Sequence, residues 1–419
     1  MADVTLEARS APEPDLSATP EELVRRAAGL RELIRGQQEE AERIGHYTDE
    51  VHRALVGAGL YHVLTPKRYG GYEYDVPTFL KCVIEISQGD PASGWCYCLG
   101  HGHNLTTAGY WPEEAQDDVF RNSSGYFRAS HSAVPSGTAT PVEGGYVINA
   151  TSPYQSGVPY ATHATLNVAL QPEGGAAPEG PPAIVCALVP TDECTVLDDW
   201  GGDATLGERA SGSNTVVAED LLIPASHVVA FDWIGRNFSK GSEGTRLHGN
   251  PMYLCPVAGY FHAELVATVV GAAKAALEEF EHIITTRKTM FPPIVLRYED
   301  IDFQREFGLA MTMVDASEAI LLHAADLYMQ YCRDWAEHGT PFTTEMDMRL
   351  FGMIQRSGEM ASDAVRLMFN AGGSAAAKRG QPLQRYYRDV AMYRGHNSAQ
   401  YGKFAQIFAK VHFGMPAGF

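Results

Sequence analysis

The sequence predicts an α+β fold, mostly α, in three parts: an N-terminal helical domain, a central β-barrel or sandwich domain and a C-terminal four-helix bundle. Three observations predict it. Up to about residue 125 apolar residues recur at helical spacing, first at Leu23, Ala27, Leu30, Ile34 and Ala41, then at Val51 and Leu55. From Tyr126 to about Pro224 that rhythm gives way to short apolar runs set between Gly and Pro, the pattern of strands. Past a polar loop from Asn237 to Asn250, long amphipathic stretches return, and consecutive helices of that kind bury their stripes as a bundle. The boundaries drawn are a disordered tail over 1–19, helices over 20–125, the β domain over 126–236 and the bundle over 237–419.

Taken in order, the polar, Pro-containing stretch Met1 to Thr19 is expected to be mobile. Thr19-Pro20-Glu21-Glu22 then opens a helix: Thr caps, Pro at the first turn loses no needed hydrogen bond, and the acids suit the positive end of the dipole. A second helix runs from Thr48 through Leu60 and a third from Val76 to Ser87, with Pro66 and Gly70-Gly71 turning the chain between them. Asp90 to Trp95 begins a run of small and aromatic residues that reaches His101-Gly102-His103-Asn104. Two His with no third ligand at usable spacing do not make a metal site, and none is expected. Strands are read at Gly145 to Ile148, Thr165 to Leu170, Ala183 to Val189, Asn214 to Val217 and Leu221 to Ile223, with an exposed loop from Gly174 to Pro182. The bundle helices are read over His262 to Thr286, Gln304 to Cys332, Glu345 to Ala371 and Arg394 to Phe413. The stripe Phe303, Phe307, Met311, Val314, Leu321, Ala325 and Tyr328 is core.

Composition narrows the function classes. With 45% hydrophobic and 20% charged residues over 419 positions, the chain is an ordinary globular protein of two to three folding units at about 150 residues each. A formal net charge of -19 argues against nucleic acid, whose binding needs a Lys/Arg patch, and against an anionic membrane surface. Seven scattered cysteines without a C-x-x-C pair fit free thiols in a reducing cytosol. No run approaches the roughly 18 to 20 uninterrupted apolar residues of a membrane span, and no signal peptide is read, so a cytoplasmic location is expected. No G-x-G-x-x-G follows a strand and no P-loop is present, so the chain is not expected to hold NAD(P)H itself.

The stretch from Phe369 to Gln400 carries the most chemistry. Gly372-Gly373-Ser374 leaves backbone bare for a ligand edge. Arg388-Asp389 follows, then Gly395-His396-Asn397. With Tyr61, Pro66 and Gly70-Gly71, with Gly144-Gly145-Tyr146 leading to Ser156-Gly157, with Trp200 to Ser213 ahead of Asp220 and Pro224, and with Gly271 to Leu277, this order resembles the acyl-CoA dehydrogenase fold from about Glu21 onwards. In the dehydrogenases a Glu about nine residues beyond the Arg of the Arg-Asp pair takes the substrate's α-proton. Here that position is Asn397, which cannot accept a proton, and His396 stands beside it. A His there, with Pro382 to Asp389 upstream, is similar to the flavin-dependent monooxygenase branch, the two-component group D hydroxylases such as the 4-hydroxyphenylacetate 3-hydroxylase oxygenase component.

The resemblance implies reduced FMN, with FAD as the alternative, supplied by a separate flavin reductase. It also implies molecular oxygen, a flavin hydroperoxide, hydroxylation of a small aromatic or polycyclic metabolite, and a homotetramer. By the same match, His396, Ser156, His131 and His103 are the catalytic candidates. Ser156, Ser211, Ser213, Arg287, Gly372, Gly373 and Arg388 are assigned to the cofactor, and Trp95, His103, His131 and Asn397 to the substrate. From the residues alone, His396 reads as a general acid/base, with a satisfied core imidazole as the alternative, and Arg287 as a phosphate ligand or a surface Arg. Three rivals stay open: an acyl-thioester dehydrogenase drawing its base from Glu243 or Glu264, an N- or S-oxygenase of the same fold and, more distantly, a non-catalytic member acting as a helical scaffold.

Overall fold

The computed structural model describes residues 15–172, 181–232 and 236–416. Helix α1 (Pro20–Gly29) starts where the sequence places it, with the Thr19 hydroxyl accepting from Glu22 N. The expected single helix is cut into α1, α2 (Arg31–Gly36) and α3 (Gln38–Ile44). The described end of the expected tail is packed: Ala18 is buried and its carbonyl accepts from the Tyr74 hydroxyl, while Asp15 pairs with Arg26. After α4 (Asp49–Gly57) come α5 (Val76–Gly89), α6 (Pro91–Tyr110) and α7 (Glu113–Phe120).

Helix α6 organises the molecule. The sequence shows here only a run of small and aromatic residues, which the family resemblance makes a helix leading into a loop, and four glycines blur any helical period. The chain instead stays helical for 20 residues, and 19 of them are buried. Its glycines are seats for neighbouring groups. A Cβ on Gly94 would collide with Ser87 Oγ, on Gly100 with the Arg128 guanidinium, and on Gly102 with the Glu264 carboxyl. Because the side chains are missing, groups from three other elements close directly on the helix backbone.

The strands are β1 (Ala129–Ser132), β2 (Gly137–Val142), β3 (Gly145–Ser152), β4 (His163–Leu170), β5 (Ile184–Pro190), β6 (Thr195–Val196), β7 (Val216–Pro224) and β8 (Val228–Ala230). They form one mixed sheet in the order β6-β7-β3-β2-β4-β5-β8, with β1 paired parallel to β4. The two runs read at Asn214 and Leu221 are the single strand β7, and β1, β2, β6 and β8 add to those expected. Alternate residues Ala164, Leu166 and Val168 of β4 face Val185, Ala187 and Val189 of β5 in one buried cluster. Most of the expected loop from Gly174 to Pro182 lies outside the described residues.

Beyond the sheet, the expected polar loop holds α8 (Glu243–His248), opened by a capping box on Ser242 and Thr245. The bundle consists of α9 (Val257–Thr286), α10 (Ile301–His338), α11 (Thr344–Gly372) and α12 (Pro382–Gly395), with α9 packing against the other three. The expected last helix is broken at His396, and α13 (Tyr401–His412) packs on α11. The break follows from Gly395 and from the extended backbone of His396. Met311, assigned to the core stripe, is exposed. The length and mean hydropathy of α10, 1.2 over its most apolar window, would suffice for a membrane span. It nevertheless carries Asp302, Glu306, Asp315 and Glu318 and packs along α9 and α11. All seven cysteines are free, and six are buried.

The seat at Gly102 yields a direct test. Gly102→Ala should destabilise the chain by about 3 kcal/mol, the upper end for overpacking. Urea unfolding should show the double variant Gly102→Ala/Glu264→Ala recovering part of that loss. Purely additive effects would count against the seat.

Candidate active site

Helix α6 supplies one wall of the site. Trp95 lies near its N-terminus, 5% exposed, with its ring edge-on to His396 at 5.4 Å between centroids. His396 caps the C-terminus of α12. Its Nδ1 accepts from the backbone N–H of Ser398 at 3.2 Å and lies 2.5 Å from the Ser398 hydroxyl. An Nδ1 that accepts a backbone N–H leaves the ring proton on Nε2 in the neutral form, so Nε2 is a donor. Desolvation pushes this imidazole down to about 4. The open outer surface of His396 tempers that shift without reversing it, and the ring is neutral at pH 7. Asn397 beside it is exposed.

Two turns further along α6, His103 has the opposite tautomer. Its Nδ1 lies 2.5 Å from the carbonyl of Leu99 and 2.8 Å from that of Ala129, so Nδ1 carries the proton and Nε2 keeps its lone pair. His103 is buried, and desolvation pushes it down to about 4. Its ring stands 5.3 Å from that of His131 on β1 and 5.5 Å from Phe261 on α9. Burial, then the neighbouring His103, pushes His131 down to about 3. Three rings from three layers thus meet where α6, the sheet and α9 converge.

The β side contributes hydroxyls. Ser156 lies in the turn between β3 and β4, and its Oγ is 2.6 Å from Ser213 Oγ, itself 2.6 Å from Ser211 Oγ. All three are buried. Gly157, at φ +81, brings this turn onto α6: a Cβ there would sit 2.7 Å from Gly100 N and 2.8 Å from Cys96 O. Gln155 anchors the turn from behind by accepting from Ser130 Oγ at 2.8 Å. A buried row of hydroxyls, bare backbone at Gly157, neutral imidazoles and an aromatic wall fit the polar edge and apolar faces of a flavin ring. Arg128 adds to that fit, with two buried N–H groups lacking a partner among the described residues.

The remaining cofactor candidates lie elsewhere. Arg388 is committed to Glu42, with Nη2 2.7 Å from Oε1, and to the carbonyl of Leu206 at 3.0 Å. Arg287 ends α9, close to Arg297, whose Nη1 donates to Gly372 O at 3.1 Å next to Gly373. A Cβ on Gly372 would touch Ile283. His262, near enough to His396 for the two imidazoles to repel, is 21 residues before Ile283 on α9. At 1.5 Å per residue this is about 30 Å. Arg287, Gly372 and Gly373 therefore form one group, remote from the Ser156 and His396 of the same chain.

The two carboxylates named as alternative bases are also placed. Glu243 pairs with Arg246 at the surface. Glu264 is fully buried in the Gly102 seat, and desolvation holds it well above the usual carboxylate range, so it is protonated. Sequence reasoning missed a cluster of acids behind the site. Asp389 Oδ1 accepts from Glu208 N at 2.8 Å, and Asp90 lies nearby as the N-cap of α6. Desolvation, then Asp90, pushes Asp389 up to about 8. Glu42 resists the same burial because Arg385 and Arg388 hold it below its ordinary value. Acids scattered over some 300 positions give no sequence signal of meeting.

Comparisons with known proteins agree with this fold. Residues 263–401 match the family described as acyl-CoA dehydrogenase, C-terminal domain. The flavin-dependent monooxygenase oxygenase subunit HsaA of Rhodococcus jostii is 26% identical over 393 residues, covering 94% of this chain and 98% of the relative. The p-hydroxyphenylacetate 3-hydroxylase oxygenase component of Acinetobacter baumannii is 22% identical, covering 96% and 91%. The structure of XiaF from Streptomyces, in complex with FADH2 and glycerol, superposes with a TM-score of 0.86 at 24% identity, covering 97% of this chain and 98% of XiaF.

The acid cluster predicts a pH effect on stability. Folded Asp389 keeps its proton to about pH 8, against an ordinary value of 3.8, so its contribution is full below 3.8 and lost as pH rises through about 8. Asp389→Asn is neutral throughout and can still accept from Glu208 N. Thermal melts should show it gaining on the parent chain as pH rises from about 5 to about 9. A flat or opposite trend would remove the raised carboxyl from the account.

Proposed function

We propose that this chain, which has the acyl-CoA dehydrogenase fold and is related over its length to oxygenase components of two-component flavin-dependent monooxygenases, hydroxylates a small aromatic or polycyclic molecule. It takes reduced flavin from a separate reductase. One observation carries the reading: the turn with the buried Ser156, Ser213 and Ser211 hydroxyls packs on α6, the helix that also carries His103 and, through Trp95, meets His396, two imidazoles of opposite tautomer, while the resemblance puts Asn397 at the position of the dehydrogenase base. Of the two carboxylates the acyl-thioester alternative would draw on, Glu264 is raised well above its ordinary value by desolvation and Glu243 is paired with Arg246 at the surface.

Ser156 and Ser213 would hold the polar edge of the flavin, and Trp95 and Phe261 would flank the reacting centre. Bound reduced flavin supplies the activation of oxygen and the oxygen atom that is transferred. The protein excludes water with α6, β1 and α9 and moves protons at two nitrogens. His103 Nε2, an acceptor at neutral pH, draws the proton from a phenolic substrate, making the ring carbon electron-rich. His131 borders the same space. His396 Nε2, a donor, orients the reacting oxygen and returns a proton, a role its tautomer suits better than that of base.

Reduced FMN is the first choice and FAD the second. The Arg287 and Gly372–Gly373 group suits a phosphate-bearing end brought to a neighbouring protomer, which supports the homotetramer. The exposed Met290, Phe291, Ile294 and Ile301 beside that group offer apolar surface for such contacts. A cytoplasmic location and a place in secondary metabolism complete the proposal.

The test supplies reduced FMN, ¹⁸O₂ and a panel of phenols and fused-ring aromatics, and reads the product by mass spectrometry. One heavy oxygen atom in the product is expected. No incorporation, together with anaerobic bleaching of oxidised flavin by an acyl-CoA, would instead establish a dehydrogenase. His103→Ala should lower hydroxylation about 100-fold or more, and His396→Ala should impair it more than it weakens flavin binding. The acid limb of the parent's kcat/KM should fall near pH 4, set by His103, rather than near 6.5.

A further inference from the structure

Arg128 stands at the entry to β1 with its side chain fully buried. Its Nη2 donates to the carbonyl of Cys96 at 3.1 Å, next to Trp95, and to that of Gly157 at 3.4 Å, next to Ser156. The guanidinium carbon lies 4.5 Å from the Tyr61 ring centroid and 5.9 Å from that of Tyr47. Gly100 makes room for the charged head by having no side chain. Among the described residues no carboxylate pairs with it, and Nε and Nη1 are buried without a partner. Stacking on two phenols and bonding to two carbonyls offset only part of the cost of an unpaired buried cation. Such a charge makes sense where an anion has to be held, and the turn it grips carries the hydroxyl assigned to the flavin.

We propose that Arg128 is a positioning residue that makes this site prefer reduced flavin over oxidised flavin. The inference rests on the flavin reading above. Oxidised flavin is neutral in its ring system, whereas reduced flavin becomes an anion by losing the proton on N1, and a buried cation bonded to the turn that carries Ser156 favours that form. The charge acts at short range through a desolvated medium, and the clamp on Cys96 and Gly157 fixes the Ser156 turn against α6. Uptake of reduced cofactor from a reductase and release of the oxidised form after turnover both follow from one side chain.

The experiment is an anaerobic titration of the parent chain, Arg128→Gln and Arg128→Lys with reduced FMN and, separately, with oxidised FMN. Arg128→Gln should weaken reduced FMN about tenfold while changing oxidised FMN less than about threefold, and Arg128→Lys should keep the parent's preference. Equal weakening of both forms, or no change in either, overturns the proposal and leaves a structural Arg. A parent chain that binds neither form overturns the flavin reading itself. If the Gln variant does not fold, ¹⁵N NMR of the parent chain with ¹⁵N-enriched reduced FMN decides. A deprotonated N1 below the pH at which free reduced FMN ionises supports Arg128, and a protonated N1 at neutral pH overturns it.

Discussion

Close backbone contact along α6 is the constraint on which the rest of the structure depends. A helix with nearly every residue buried would normally hold its neighbours about 8–10 Å from its axis. At Gly94, Gly100 and Gly102 the neighbours come nearer, and what enters is polar: a Ser hydroxyl, a guanidinium and a carboxyl. Of the three only the guanidinium is hydrogen-bonded to the helix, at Cys96 O; the Ser hydroxyl and the carboxyl are held by close packing, so the helix cannot slide or rotate without driving its backbone into one of them. The β turn at Ser156, helix α9 and the N-terminal helices are thereby referred to one axis. Trp95 and His103 project from that axis, and their separation is set by the pitch of a helix that cannot move.

The two histidines show how backbone decides chemistry. Both are neutral at pH 7, yet His103 offers a lone pair and His396 a proton, because two carbonyls face one Nδ1 and an amide faces the other. An enzyme that moves a proton off a substrate and later returns one needs both kinds of group at once. Burial keeps the assignment of His103 fixed over the physiological range, where an exposed imidazole would titrate.

Much of this was legible in the sequence, and the gaps have physical causes. Strands β3, β4, β5 and β7 announce themselves as apolar runs between Gly and Pro. Strands β1 (ASHS) and β2 (GTATPV) are too polar and too short for that signal, because they are held by pairing with β4 and β3 rather than by a hydrophobic face. Helix α6 was obscured by the same glycines that make it work. Ser156, Ser213, Trp95, His103, His131 and His396 could be named from motif order, but nothing in that order gives a tautomer. Arg388 looked like a cofactor ligand because its partner Glu42 lies 346 positions away. Arg128 stood unremarked because a single charge before a short strand has no period.

The free cysteines bear on durability. Any protein that brings reduced flavin and oxygen together works beside leaked peroxide, and peroxide attacks thiolates rather than thiols. Desolvation pushes Cys82 up to about 12 and Cys96 up to about 11, and Cys98, Cys255 and Cys332 are raised as well. The interior that positions the chemistry therefore also leaves its oxidant few thiolates to consume, so the working life of each molecule is set by something other than its thiols.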